Sequence, residues 1–128
     1  MHKGDVWLIN LDPTIGAEIK KTRPAVIVSE DAIGVLPLKV VAPVTDWKDR
    51  YAVAPWMVRL DADGENQLDK TSAADCFQVR SVSQERFVRL VGSLPRLRMV
   101  EIEIALARVL GTTTQVVPRR SLVMRTSK

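Results

Sequence analysis

Val6-Trp7-Leu8-Ile9-Asn10-Leu11, stopped by Asp12-Pro13, and Pro24-Ala25-Val26-Ile27-Val28-Ser29, reached through a loop containing Gly16, read as two short strands. Their residues are β-branched, aromatic or aliphatic, and the second run begins on proline, where a strand tolerates one. The pattern continues along the chain. Glu30-Asp31-Ala32-Ile33-Gly34 is a turn, and Leu38 to Val44 is a third strand, with Pro43 marking an edge or a bulge near its end. Val53 to Leu60 makes a fourth, followed by the loop Asp61-Ala62-Asp63-Gly64-Glu65-Asn66. Ala73 to Val82 and Phe87 to Leu94 are two more, parted by Ser83-Gln84-Glu85-Arg86. Short strands at this spacing predict a small antiparallel β-barrel rather than a parallel α/β sheet.

The pattern changes at Pro95. From there to Leu110 the residues are good helix formers, and Gly111 stands where a C-terminal cap belongs. The fold class is therefore mainly β with one C-terminal helix. Arg98, Glu101 and Arg108 fall on one narrow polar stripe with Ala105 between them, while Leu97, Met99, Val100, Ile102, Ile104, Leu106, Val109 and Leu110 make a wide apolar arc. One face of a small barrel covers less than that, so the helix is expected either to sink between two surfaces or to meet a second copy in a homodimer.

The 128 residues suffice for one core. No apolar run approaches the roughly 18–20 residues of a membrane span, and charge at Lys3 and Asp5 comes too early for a secretory signal. The single cysteine, Cys76, excludes an internal disulfide and points to a reducing, cytoplasmic setting. With one histidine, His2, and one cysteine, neither a His/Cys metal cluster nor a Ser-His-Asp or Cys-His nucleophile system can be assembled. Chemistry must come from Arg, Lys, Thr, Ser and carboxylates.

Charge is unevenly placed. The fifteen acidic residues all lie before Glu103 or at it, and fifteen of the nineteen basic ones precede Gly111, so residues 1–111 are neutral and 112–128 carry the whole net charge of +4. Residues 1–111 form the expected barrel domain and 112–128 a basic tail, either a solvated terminus or an arm for a polyanion. Within the body the densest cationic cluster is Lys20-Lys21-Thr22-Arg23. Pro24 biases Arg23 toward an extended backbone, which would hold its guanidinium as an anion fork at the mouth of a strand. Thr45 closes an apolar run; its hydroxyl either donates to a phosphate oxygen or bonds its own turn. Gln78 and Arg80 would share a face of a strand, with Val79 opposite. Trp7 and Trp56 are expected in the core, and Trp47, in a polar loop two residues past Thr45, is the candidate for stacking on a base. Cys76 reads as a small packed residue.

Taken together, Lys3-Gly4-Asp5-Val6-Trp7, then Leu11-Asp12-Pro13-Thr14-Ile15-Gly16-Ala17-Glu18, then Thr22-Arg23-Pro24-Ala25-Val26-Ile27-Val28 resemble the MazF/PemK (Kid-type) toxin family. Thr45 and Gln78-Val79-Arg80 fill later places of its pattern. The resemblance implies an SH3-like (CcdB/PemK-type) antiparallel β-barrel with a C-terminal helix and a homodimer. It also implies a metal-independent, cofactor-free endoribonuclease that cuts single-stranded RNA and is silenced by an antitoxin through an acidic, flexible segment. Carried over by position, Arg23 and Thr45 are the catalytic pair. Glu18, Gln78 and Arg80 support them or contact RNA, and Lys20 and Lys21 belong to a flap spanning 17–22. Trp47-Lys48-Asp49-Arg50-Tyr51 and the tail have no counterpart in that pattern.

RNA cleavage by attack of a 2′-hydroxyl on its own phosphorus needs no metal-bound water. It needs alignment and donors for the phosphoryl oxygens, which a fixed arginine and a hydroxyl supply. Arginine stays protonated and is a poor base; Glu18 is the neighbouring carboxylate, as base or as a partner that orients Arg23. Two other readings stay open. One is a catalytically silent relative that binds a protein target such as gyrase, although the chain lacks the Trp-Gly-Ile-like helix end of that branch. The other is a plain SH3-like interaction module.

Overall fold

The computed structural model describes residues 1–112. Among these residues seven strands, β1 (Asp5–Asn10), β2 (Thr22–Ile27), β3 (Leu38–Asp46), β4 (Met57–Leu60), β5 (Ser72–Asp75), β6 (Arg80–Ser83) and β7 (Phe87–Ser93), precede one α-helix, α1 (Arg96–Leu110). Every strand pair is antiparallel. The order is β4-β5-β3-β2-β1-β7, with β6 paired to β3. The class is the one expected, mainly β with a C-terminal helix, but the ladder is a path rather than a closed ring among the described residues.

β2 explains why a continuous apolar run need not be helical. Ala25, Val26 and Ile27 are all fully buried, because both faces of the strand are covered. Val26 joins Val6, Val44, Val58, Leu60, Ala74, Met99 and Ile102 in a cluster beneath α1. Ala25 and Ile27 point the other way, to Ile9, Leu11, Val41 and Val82. The sheet thus has a helix-covered core on one face and a smaller core on the other.

β3 is the longest strand and the one that changes partners. Leu38–Val41 pairs with β6 and Val44–Asp46 with β5. Between the two ladders, Ala42 and Pro43 face residues 75–79, so the opposing chain carries three extra residues. They are taken up as a 3-10 turn, Cys76–Gln78. The single strand expected over Ala73–Val82 is therefore two strands with an outward turn between them, and Gln78 and Arg80 are not alternate residues of one strand. Pro43 stands opposite this bulge, where its missing N–H disturbs no ladder. The fourth strand is also shorter than expected: Asp49–Val53 forms a 3-10 turn, and β4 starts only after Pro55, whose ring removes a donor.

α1 packs against β4 and the Cys76–Gln78 turn. It ends on Gly111 in the left-handed region, φ 68°. Gly111 N donates to Arg108 O (3.3 Å) and Thr112 N to Ala107 O (2.9 Å), a double closure that satisfies two terminal carbonyls. Ala105, expected on the polar stripe, is instead buried; its small side chain lets the helix settle on the sheet. Arg98 pairs with Glu101 beside it. Leu97, Ile104 and Leu110 stay exposed on the outer side. No described helix is long and apolar enough to cross a membrane. The expected basic tail lies, from residue 113 on, outside the described residues.

Candidate functional site

Register places the residues singled out in the sequence. Ala25 of β2 pairs with Pro43 of β3. Two steps further along each strand stand Arg23 and Thr45, where the β2–β3 ladder has ended. Arg23 pairs instead with Ile9 and Thr45 with Ala73. Side chains alternate with period two, so Arg23 and Thr45 lie on the face of Ala25 and Pro43. Arg80, opposite Val41, is on that face too. The end of one ladder thus gathers two guanidinium groups and a hydroxyl.

Beside them is a cleft of about 480 Å³ lined by Ala17, Glu18, Ile19, Pro43, Phe77, Gln78, Val79 and Arg80. Arg23, Thr45, Lys20, Lys21 and Trp47 are outside its lining. One wall is the loop between β1 and β2, which Gln78 fastens: its Oε1 accepts the Ile19 N–H at 2.6 Å and its Nε2 donates to Ala17 O at 3.3 Å. Arg80 Nη1 donates to Leu11 O at 3.1 Å, tying the base of the same loop to β6. Arg23 Nε donates to Lys20 O at 2.9 Å. Its Nη nitrogens and the Thr45 hydroxyl have no hydrogen-bond partner among the described residues, so the alternative of Thr45 bonding its own turn is not what the structure shows. Glu18 makes no hydrogen bond or salt bridge to Arg23 among the described residues; its carboxylate accepts the Ile15 N–H at 2.6 Å and folds the loop on itself. Lys20, Lys21, Arg23 and Arg80 form no salt bridge among the described residues, which leaves this end of the sheet electropositive.

Asp75 is the residue that strand-based reading missed. It is 5% exposed, and its Oδ1 accepts the N–H groups of Phe77 (3.0 Å) and Gln78 (3.3 Å), capping the turn as aspartate caps a helix. Burial raises its pKa, and the hydrogen bonds from Gln78 and Phe77 pull it partly back. The next residue, Cys76, is fully buried; burial, with the Asp75 charge adding to it, pushes the thiol up to about 12. It is a packed side chain, as expected.

The aromatics fall differently from expectation. Trp7 packs with Phe87 against the smaller core. Trp56 is 38% exposed rather than a core residue, since β4 begins only after it. It meets Phe77 edge to face at 6.0 Å, and Phe77, on the rim of the cleft, is 64% exposed. Trp47 lies edge to face with Tyr51 at 5.9 Å, and the Arg59 guanidinium sits 5.1 Å from its ring centre.

Among the described residues the chain is thus a small antiparallel sheet with one helix after its last strand and a loop-walled cleft, beside which Lys20, Lys21 and Arg23 are gathered. Residues 2–110 match the family model described as PemK-like, MazF-like toxin of type II toxin-antitoxin system, and the chain belongs to that family. It is 32% identical over 113 residues to the endoribonuclease MazF9 of Mycobacterium tuberculosis, covering 83% of this chain and 92% of that protein. It is 37% identical over 86 residues to the endoribonuclease PemK of Escherichia coli, covering 66% of this chain and 62% of that one. The crystal structure of MazF from Deinococcus radiodurans superposes with a TM-score of 0.73 at 25% identity, over 88% of this chain and 97% of that one.

Proposed function

We propose that this protein is the toxin of a type II toxin–antitoxin pair and acts as a sequence-selective endoribonuclease on single-stranded RNA. The observation that carries the reading is the placement of Arg23 and Thr45 on one face where the β2–β3 ladder ends, with Arg80 beside them. In this scheme a substrate 2′-hydroxyl attacks the adjacent phosphorus; the new bond closes a 2′,3′-cyclic phosphate and the bond to the 5′ oxygen breaks. The Arg23 guanidinium and Thr45 hydroxyl donate to the phosphoryl oxygens as negative charge builds there. Glu18, which lines the cleft, takes the 2′-hydroxyl proton, and the departing oxygen is protonated from solvent. Lys20, Lys21 and Arg80 hold neighbouring phosphates, and Gln78 fixes the loop that walls the site. No cofactor enters these steps.

The same reading includes a cytoplasmic location, where RNA substrate is found, and an antitoxin that covers the cleft and the cations beside it with an acidic, flexible segment. It also includes a homodimer that buries Leu97, Ile104 and Leu110, which sedimentation at micromolar concentration tests. Residues 112–128 act as a separate basic arm, beyond the stretch that matches the family model. A catalytically silent, target-binding relative is not favoured, since the relatives named above are endoribonucleases. The test is cleavage of a mixed-sequence single-stranded RNA in EDTA, with Arg23→Ala as control. Discrete fragments from the wild type, lowered about a hundredfold or more in the variant, support the reading; equal cleavage by folded Arg23→Ala refutes the assignment.

A further inference from the structure

We infer that Phe77, backed by Trp56, is a stacking platform for one unpaired base of the RNA that enters the cleft, and so helps to set which sequence is cut. The inference rests on the endoribonuclease reading and adds a residue for substrate selection. Phe77 is a large aromatic held largely in solvent, 64% exposed, although its neighbours in the same turn are fixed firmly. Its backbone N–H is capped by Asp75 and the next residue, Gln78, is bonded to the loop. Its ring is braced by Trp56. Fold stability gives no reason to display an aromatic there, whereas an exposed, braced ring at the edge of a cleft that also presents Glu18, Gln78 and Arg80 is what a nucleobase uses.

The neighbours select the occupant. Phe77 shares the cleft with Arg80 and Glu18, so a planar group with an apolar face and a hydrogen-bonding edge fits better than an aliphatic side chain. The cations Lys20, Lys21 and Arg23, free of salt bridges among the described residues, match the phosphates on either side of such a base. Trp47, which the sequence favoured for this role, already has the Arg59 guanidinium over its ring.

The experiment uses a single-stranded oligoribonucleotide spanning the site the wild type cuts, made uncleavable by 2′-deoxy substitution at the attacking nucleotide. An abasic residue is placed at each position in turn. Dissociation constants are measured for wild type, Phe77→Ala and Phe77→Tyr, alongside kcat and KM on the cleavable strand. One abasic position should weaken wild-type binding by about 5- to 150-fold. Phe77→Ala should lose the same factor on the intact strand and nothing more at that abasic position, and Phe77→Tyr should restore the wild-type pattern. If every abasic position costs Phe77→Ala what it costs the wild type, the inference is overturned. It is equally overturned if the variant changes only its oligomeric state or its affinity for an acidic peptide. A wild type that cuts nothing defeats the endoribonuclease reading before Phe77 is touched; unaltered cutting and base preference in Phe77→Ala defeat the platform alone.

Discussion

The Gln78 side-chain oxygen accepts the Ile19 backbone N–H at 2.6 Å across fifty-nine residues of chain, so the loop walling the cleft takes its position from the turn in the opposite wall. The 3.3 Å bond from Gln78 Nε2 to Ala17 O makes the attachment two-pointed. Gln78→Ala removes both bonds at a cost of about 0.5–1.5 kcal/mol each. Hydrogen exchange should show the Ile19 amide losing protection while Val26 and Ile27, in the buried strand, keep theirs. Unchanged protection at Ile19 would show that the loop holds itself.

Asp75 links the same turn to pH. Its pKa is raised in the folded protein by burial, so the folded state binds the proton more tightly than the unfolded chain. The resulting stabilisation is complete below the unfolded value near 3.8 and is lost as pH rises through the raised folded value. Asp75→Asn keeps an acceptor for the Phe77 and Gln78 N–H groups without the buried charge, so urea denaturation should show a flatter stability profile over that acidic range. Asp75→Ala loses the cap and should cost about 0.5–2 kcal/mol, with the larger loss at acid pH, where the wild type's proton-linked stabilisation is complete.

Cys76 gives a second titration, at the alkaline end. A thiol raised from 9.0 to about 12 by burial stays protonated in the folded protein after the unfolded chain has begun to ionise. Stability present below pH 9 should therefore decline between pH 9 and pH 12, and less so in Cys76→Ala. At a pH of about 7.5 a thiol reagent should label Cys76 in denaturant and leave the native protein untouched over the same interval. Rapid native labelling would contradict the packed position.

Gly92 has no room for a side chain. A Cβ built there falls 2.6 Å from Asn66 O and closer still to Glu65 O, both main-chain atoms that cannot swing aside. Gly92→Ala should destabilise the protein by about 1–3 kcal/mol, read as a lower urea midpoint at unchanged slope.

Deleting residues 112–128 leaves a neutral body. Since each phosphate neutralised adds to the salt dependence of binding, the truncated chain should bind RNA with a shallower slope against log salt while retaining cleavage. An identical slope would make the segment a passive terminus.

Elements that announce themselves locally are legible in the residues alone. β1, β2, β7 and the helix with its Gly111 cap follow from runs of one residue character ended by proline, glycine or polar turns. The opposition of Arg23 and Thr45 is not legible from composition; it depends on the Ala25–Pro43 pairing. The three extra residues between β5 and β6 are hidden for the same reason, because an excess exists only relative to the partner strand. From that one insertion follow the capping role of Asp75, the display of Phe77 and the reach of Gln78 to the loop. Trp56 misleads because an aromatic in a strand-like run suggests burial, while Pro55 delays the strand until the side chain is already outside.

β7 is an end strand of the sheet, yet part of its margin is already occupied. Ser93 N donates to Glu65 O at 3.0 Å, from a loop that buried Asn66 braces through Asp61 O, Asp63 N and Leu68 N. A foreign strand adding itself to β7 would run into this loop at Gly92 and Ser93 and have only Phe87–Val91 to pair with. The loop therefore acts as a doorstop: it shortens the template that β7 offers for uncontrolled sheet growth between molecules.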